Sequence, residues 1–138
     1  MRTPPLILVV DDEQSFREII SARLKAAGYH IEVAHSGDEG IKQAEALMPD
    51  LVLMDVYMPP GQNGTNAALA LKQNPKTKDL HIAFLTSMKD PWPGISSSDN
   101  QGVAKELGMD EFFDKTHDLN VIADKVAALL QAIATPAQ

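Results

Sequence analysis

A chain of 138 residues has room for one domain with a sizeable core and too little for two. Its 44% apolar and 22% charged residues give the balance of a soluble globular protein, and a formal net charge of -7 argues against a general nucleic-acid surface. The absence of cysteine excludes disulfides, thiolate metal sites and a thiol nucleophile. The N-terminal apolar run is far too short for a signal-peptide core or a membrane span, so the expected location is cytoplasmic.

Leu6-Ile7-Leu8-Val9-Val10 is wholly apolar, the signature of a strand buried on both faces of a parallel sheet, and it runs into Asp11-Asp12-Glu13. Phe16, Ile19, Ile20, Arg23, Leu24 and Ala27 follow at helical spacing, with Gly28 as the stop. Tyr29 to Ala34 reads as a strand. Ser36 is a candidate N-cap, with Glu39 three residues on, for a helix through Ile41, Ala44 and Leu47 that ends near Pro49. Leu51-Val52-Leu53-Met54 repeats the first pattern and runs into Asp55. Pro59, Pro60, Gly61 and Gly64 mark a loop, and a helix is expected from Asn66 to Gln73, before Pro75. His81 to Leu85 is a fourth strand, ending in Thr86-Ser87. Pro91, Trp92, Pro93 and Gly94 mark another loop, followed by a short helix from about Ser98 to Leu107. Glu111 to Asp114 is a fifth strand, ending in Lys115. Leu119, Ile122, Val126, Leu129, Leu130 and Ile133 give the last helix its buried stripe, and Thr135 to Gln138 reads as a frayed tail. Strands alternating with helices in this way predict an α/β fold, a parallel sheet with helices on both faces. No repeat or linker divides residues 1–138, so one domain is expected, with its core at about 6–133.

In open α/β sheets ligands bind at the carboxyl ends of the strands. Here those ends carry Asp11 and Asp12, Asp55, Thr86 and Lys115. Carboxylates held ~4 Å apart repel by roughly 4 kcal/mol per pair, so such a cluster calls for a cation, a proton or a function. Oxygen-only acidic ligands suit a hard cation such as Mg²⁺, and a carboxylate can itself attack phosphorus to give an aspartyl-phosphate. Singly, each residue has a plainer explanation: Asp11-Asp12-Glu13 as a helix cap with acids favourable to the dipole, Thr86 as a cap, Lys115 as a solvated surface group. Together, at the ends of the first, third, fourth and fifth strands, they form a pattern.

Val9-Val10-Asp11-Asp12-Glu13, Leu53-Met54-Asp55-Val56-Tyr57-Met58-Pro59, Leu85-Thr86-Ser87 and Phe112-Phe113-Asp114-Lys115 resemble the receiver domain of bacterial two-component response regulators. The resemblance runs from Leu6 to about Ile133. It implies a flavodoxin-like three-layer αβα fold with strand order 2-1-3-4-5. It also implies that Asp55 accepts a phosphoryl group and that Asp12 directly, Asp11 mostly through water, Asp55 itself and the Tyr57 backbone carbonyl hold Mg²⁺. Lys115 and Thr86 would contact the phosphoryl group, and Phe112 would be the coupled aromatic switch. The implied partners are a sensor histidine kinase or histidine phosphotransfer protein and a downstream protein effector, with neither nucleic acid nor membrane. Such a domain is not an enzyme on an external substrate; it catalyses only its own phosphorylation and slow dephosphorylation.

Three features depart from the family pattern. Lys115 is followed by Thr116 where the family usually has proline, and without proline the 115–116 peptide is expected to be trans. The loop after Asp55 is longer by about one residue, and the chain between Thr86 and Lys115 is extended by Asp90 to Ser97, with Trp92 as a candidate partner anchor. Two other functions fit parts of the pattern. A phosphatase of the haloacid-dehalogenase type would want a second acid at position 57, which is tyrosine. A degenerate receiver would bind partners without phosphorylation.

Overall fold

The apolar runs become the interior strands of one sheet. In the computed structural model, which describes residues 2–56, 64–86, 105 and 108–134, the elements are β1 Leu6–Val10, α1 Gln14–Ala26, β2 His30–Ala34, α2 Gly37–Leu47, β3 Leu51–Met54, α3 Gly64–Gln73, β4 Ile82–Thr86, β5 Glu111–Asp114 and α4 Leu119–Ala134. All neighbouring strands pair in parallel, in the order β2-β1-β3-β4-β5. Alternate side chains feed opposite layers. Ile7, Val9, Leu53 and Phe113 pack with Ile20 and Leu24 of α1 and with Ile122, Val126 and Leu130 of α4. Leu8, Val10, Met54 and Phe84 pack with Ala44 of α2 and with Ala67, Ala68 and Leu71 of α3. Burial on both faces is the reason β1 and β3 lack the polar alternation of a half-exposed strand. Each such side chain contributes about 1.5–3 kcal/mol on leaving water.

Register then fixes where the acids stand. Val10 is opposite Met54, so the next residues, Asp11 and Asp55, leave adjacent strands side by side. Their backbones stay tied to the sheet: Asp11 N–H donates to the Ala34 carbonyl at 3.1 Å and Asp55 N–H to that of Val10 at 2.9 Å. Thr86 pairs with Asp114, which puts Lys115 one step beyond the same edge.

Helix ends follow local chemistry. Ser36 Oγ accepts the Glu39 N–H at 3.1 Å, as the sequence pattern predicts, but the Glu39 carboxylate turns to His35, meeting its Nε2 at 2.8 Å instead of closing a full capping box. Helix α2 ends on Met48, whose left-handed φ of 48° is backed by Arg2 donating to the Leu47 and Met48 carbonyls. Helix α3 already includes Gly64, two residues before the expected Asn66, and Gly64 N–H bonds the Val56 carbonyl at 2.8 Å. A Cβ at Gly64 would overlap the Asp55 carbonyl, so only glycine lets this helix start so close to that residue.

Ile19 departs from its expected place in the α1 stripe. It is 51% exposed, while Ser21 is buried, because the face set by Ile20 and Leu24 turns Ile19 past the edge of the core. Four helices lie among the described residues. Of the expected helix from Ser98 to Leu107 only Lys105 is described, and it is helical. The rest of that segment, the Asp90–Ser98 stretch with Trp92, and the tail 135–138 lie outside the described residues.

The Ser36 cap gives a direct test of this local reading. Ser36→Ala should lower unfolding stability by about 1 kcal/mol. In urea titration that appears as a lower midpoint with an unchanged slope.

Candidate functional site

Strand ends bring Asp11, Asp12 and Asp55 together. One carboxylate oxygen from each lies within 4.8 Å of the others. Asp11 and Asp55 are buried, 1% and 6% exposed, whereas Asp12 is open to solvent. The expected convergence therefore holds, and the cluster has two held acids and one that reaches outward. At that spacing each carboxylate pair costs about 3–4 kcal/mol in an effective dielectric near 20.

Lys115 answers part of that cost. Its Nζ sits 2.8 Å from Asp11 Oδ2 and 3.4 Å from Asp55 Oδ2, with the side chain only 7% exposed. Burial works against the charged amine. The hydrogen bond to Asp11 and the charges of Asp55, Asp11 and Glu13 together outweigh it and hold the amine above its ordinary pKa. The ammonium also lies 4.4 Å from the centroid of the Phe16 ring, a cation–π contact.

Asp11 is held from a second side. Its Oδ1 accepts the Glu13 N–H at 2.8 Å at the entry to α1, and its carbonyl accepts Arg17 Nη1 at 2.8 Å. The plain capping role expected of the acidic triplet does not hold: Glu13 is the N-cap of α1 without a side-chain cap bond, and Asp11 instead closes a turn just before the helix while belonging to the cluster. Lys115 projects from a tight turn. His117 N–H donates to the Asp114 carbonyl at 3.2 Å, while Asp114 Oδ1 accepts Thr116 N–H at 2.8 Å and Thr116 Oγ1 at 2.6 Å. Burial raises the Asp114 carboxyl, but the Thr116 hydrogen bonds and the charges of His117 and Lys125 prevail and hold it below its ordinary value. Among the described residues the only cis peptide is Thr3-Pro4, so the Lys115-Thr116 bond is trans as expected.

Phe112 is buried, 8% exposed, in the same core cluster as Met54, Phe84 and Met109, and is paired with Phe84 across β4 and β5. Thr86 ends β4 beside Asp114; its side chain and the whole of Tyr57 lie outside the described residues. Sequence reasoning missed Phe16 as a site residue because its helical spacing placed it in the core stripe. It also missed Arg17, Gly64 and the Asp114–Thr116 turn. For Phe16 and Arg17 the available signal was their place in the first turns of a helix that begins at the acidic edge.

Three hard oxygen donors, one of them solvent-facing, fit a cation such as Mg²⁺, which keeps several waters and takes few carboxylates. The chain is similar to known proteins over most of its length. A family model described as the response regulator receiver domain matches residues 7–127. The phosphate regulon transcriptional regulatory protein PhoB of Pseudomonas aeruginosa is 33% identical over 129 residues, covering 91% of this chain and 51% of PhoB. The CAI-1 autoinducer sensor kinase/phosphatase CqsS of Vibrio cholerae is 34% identical over 122 residues, 88% of this chain and 17% of CqsS. The crystal structure of response regulator TrrA from Thermotoga maritima in complex with Mg²⁺-BeF is 31% identical, with a TM-score of 0.74 over 91% of this chain and 98% of TrrA. The chain thus spans about half the length of PhoB and a smaller share of CqsS.

Two outcomes check the site's electrostatics. Lys115→Met leaves buried Asp11 and Asp55 without their ammonium, and in metal-free buffer it should lower unfolding stability by about 3 kcal/mol, read from the urea midpoint. The depressed Asp114 pKa stabilises the turn above the ordinary carboxylate value, and that contribution is lost as pH falls through the folded value. The Thr116 amide resonance, followed by NMR from about pH 6 to 2, should therefore titrate with a midpoint below the ordinary value for aspartate.

Proposed function

The chain belongs to the response regulator receiver family of two-component systems, and on that premise we propose that it is a phosphorylation switch whose phosphoacceptor is Asp55. Receiver domains are signalling switches and not ordinary enzymes. The observation that carries the reading is the juxtaposition of Asp55 with Asp11, Asp12 and the buried Lys115 ammonium at one sheet edge.

In this reading an Asp55 carboxylate oxygen attacks the phosphorus of a phosphohistidine. The new O–P bond forms as the P–N bond breaks, and the imidazole leaves with the electron pair. Asp11, Asp12, Asp55 and the Tyr57 carbonyl would hold Mg²⁺, whose charge would offset that of the phosphoryl oxygens. Lys115 supplies a second positive charge from the β5 side, in place before the reaction begins. Thr86 contacts the phosphoryl group, and Phe112 couples that contact to the neighbouring surface. The fit of the donors is what supports Mg²⁺ here: all are hard oxygens, and the solvent-facing Asp12 leaves room for waters.

Residues 1–138 form one receiver domain in this reading, with its core at about 6–133. Its phosphoryl donor is a sensor histidine kinase or histidine phosphotransfer protein, and its output is contact with a protein effector. The net charge of -7 speaks against nucleic acid as a direct ligand of this chain. Among the described residues no helix is long and apolar enough to cross a membrane, which fits a cytoplasmic location.

Incubation with acetyl phosphate and Mg²⁺ should produce a single phosphorylated species, seen as retarded migration on a phosphate-affinity gel. Chelation by EDTA and Asp55→Asn should each abolish it. A shift that survives Asp55→Asn would overturn the assignment of the acceptor. No shift under any condition would favour a receiver that binds partners without phosphorylation.

A further inference from the structure

Lys115 has to reach across the sheet edge from the first position after β5, on a side chain with four rotatable bonds. In this chain the residue that follows it is Thr116, and the turn that aims the lysine is closed by side chains. Asp114 Oδ1 takes hydrogen bonds from both Thr116 N–H and Thr116 Oγ1, at 2.8 and 2.6 Å, while His117 N–H returns to the Asp114 carbonyl at 3.2 Å. Both acceptor atoms belong to Asp114, whose backbone is fixed by pairing with Thr86 on β4. The turn is thereby referenced to the sheet. Its outer residues, Asp114 and Thr116, face the surface, whereas Lys115 alone turns inward, to a site walled by Phe16, Asp11 and Asp55.

We propose that the Thr116 hydroxyl is a positioning group: through Asp114 it sets the root of Lys115, so that the ammonium is held over the Phe16 ring and between Asp11 and Asp55 before a phosphoryl group arrives. The kinetic consequence rests on Asp55 being the phosphoacceptor; the positional one does not. Threonine has no ring to constrain the backbone at position 116, and the hydroxyl-to-carboxylate bond reinforces the N–H bond to the same oxygen in its place.

Two substitutions isolate the hydroxyl. Thr116→Val keeps the branched shape and removes the donor; Thr116→Ser keeps the donor and removes the methyl. Position 116 is exposed, so both should fold, and thermal melts check that they do. In the intact chain the ε-methylene protons of Lys115 should be shifted upfield by the Phe16 ring current. Thr116→Val should move that resonance toward the free-lysine position, and Thr116→Ser should leave it in place. With acetyl phosphate and Mg²⁺, phosphorylation of Thr116→Val should be about tenfold slower, as expected for a displaced charge-stabilising group, with Thr116→Ser near wild type. An unmoved Lys115 resonance in Thr116→Val overturns the proposal, as does a moved resonance with an unchanged rate. If the wild type itself takes no phosphoryl group, the phosphoacceptor reading fails, and the resonance alone then decides whether Thr116 positions Lys115.

Discussion

The parallel register of β1 and β3 sets two buried carboxylates side by side, and the rest of the site is arranged around that repulsion. Val10 opposite Met54 leaves no freedom for Asp11 and Asp55, because both backbones remain hydrogen-bonded to the sheet at the residue itself. The sheet can impose this because its interior is apolar on both faces. Leu8, Val9, Leu53 and Met54 are essentially inaccessible to water, and together they contribute roughly two to three times the energy that one carboxylate pair costs. Lys115 then reduces the cost locally without removing it, since three acids face one ammonium. A site left with residual negative charge is one in which a further cation is favoured.

Close approach of the helices makes the edge compact. On the α2 side, a Cβ at Gly40 would come within 2.9 Å of Val10 Cγ1, immediately before Asp11. On the α3 side, Gly64 lies against the Asp55 carbonyl. The small residues Ala44, Ala67 and Ala68 continue this pattern along the same face. On the opposite face α1 enters through Asp11 itself, whose carboxylate receives the Glu13 N–H and whose carbonyl receives Arg17. The acidic edge is therefore part of the helix packing, and a change of charge there acts on elements from both layers.

Much of this was legible in the residues because the physics is local and repetitive. Apolar runs that end in aspartate can be read as buried parallel strands, and the strand bounds of Leu6–Val10, Leu51–Met54 and Glu111–Asp114 match the expected ones. Asp11, Asp12, Asp55 and Lys115 converge as their strand ends predict. The misreadings occur where tertiary contacts decide. Ile19 shares the helical spacing of Ile20 and Leu24 but falls outside the arc that meets the sheet. Asn66 is too late for the helix because the close contact of Gly64 with the Asp55 and Val56 carbonyls is a tertiary feature that local sequence does not show. Phe16 looked like core, and it is partly buried there, but its ring face serves the ammonium of a residue almost a hundred positions away.

Lys115 stands closer to Asp11 than to Asp55, 2.8 against 3.4 Å, and this asymmetry bears on how the site would respond to charge. Asp11 already has a partner on each carboxylate oxygen: Lys115 on Oδ2 and the Glu13 N–H on Oδ1. Each oxygen retains a lone pair, but the open directions are limited, so a cation reached through a bridging water strains the arrangement less than one bound directly. Exposed Asp12 carries no such restriction. Any cation that draws on Asp11 also competes with its bond to Lys115. The other carboxylates acting on the ammonium are Asp55, at 3.4 Å, and Glu13. A cation at this edge and the Lys115 ammonium therefore draw on the same Asp11 carboxylate, while the turn at Asp114–His117 fixes the side from which the ammonium comes.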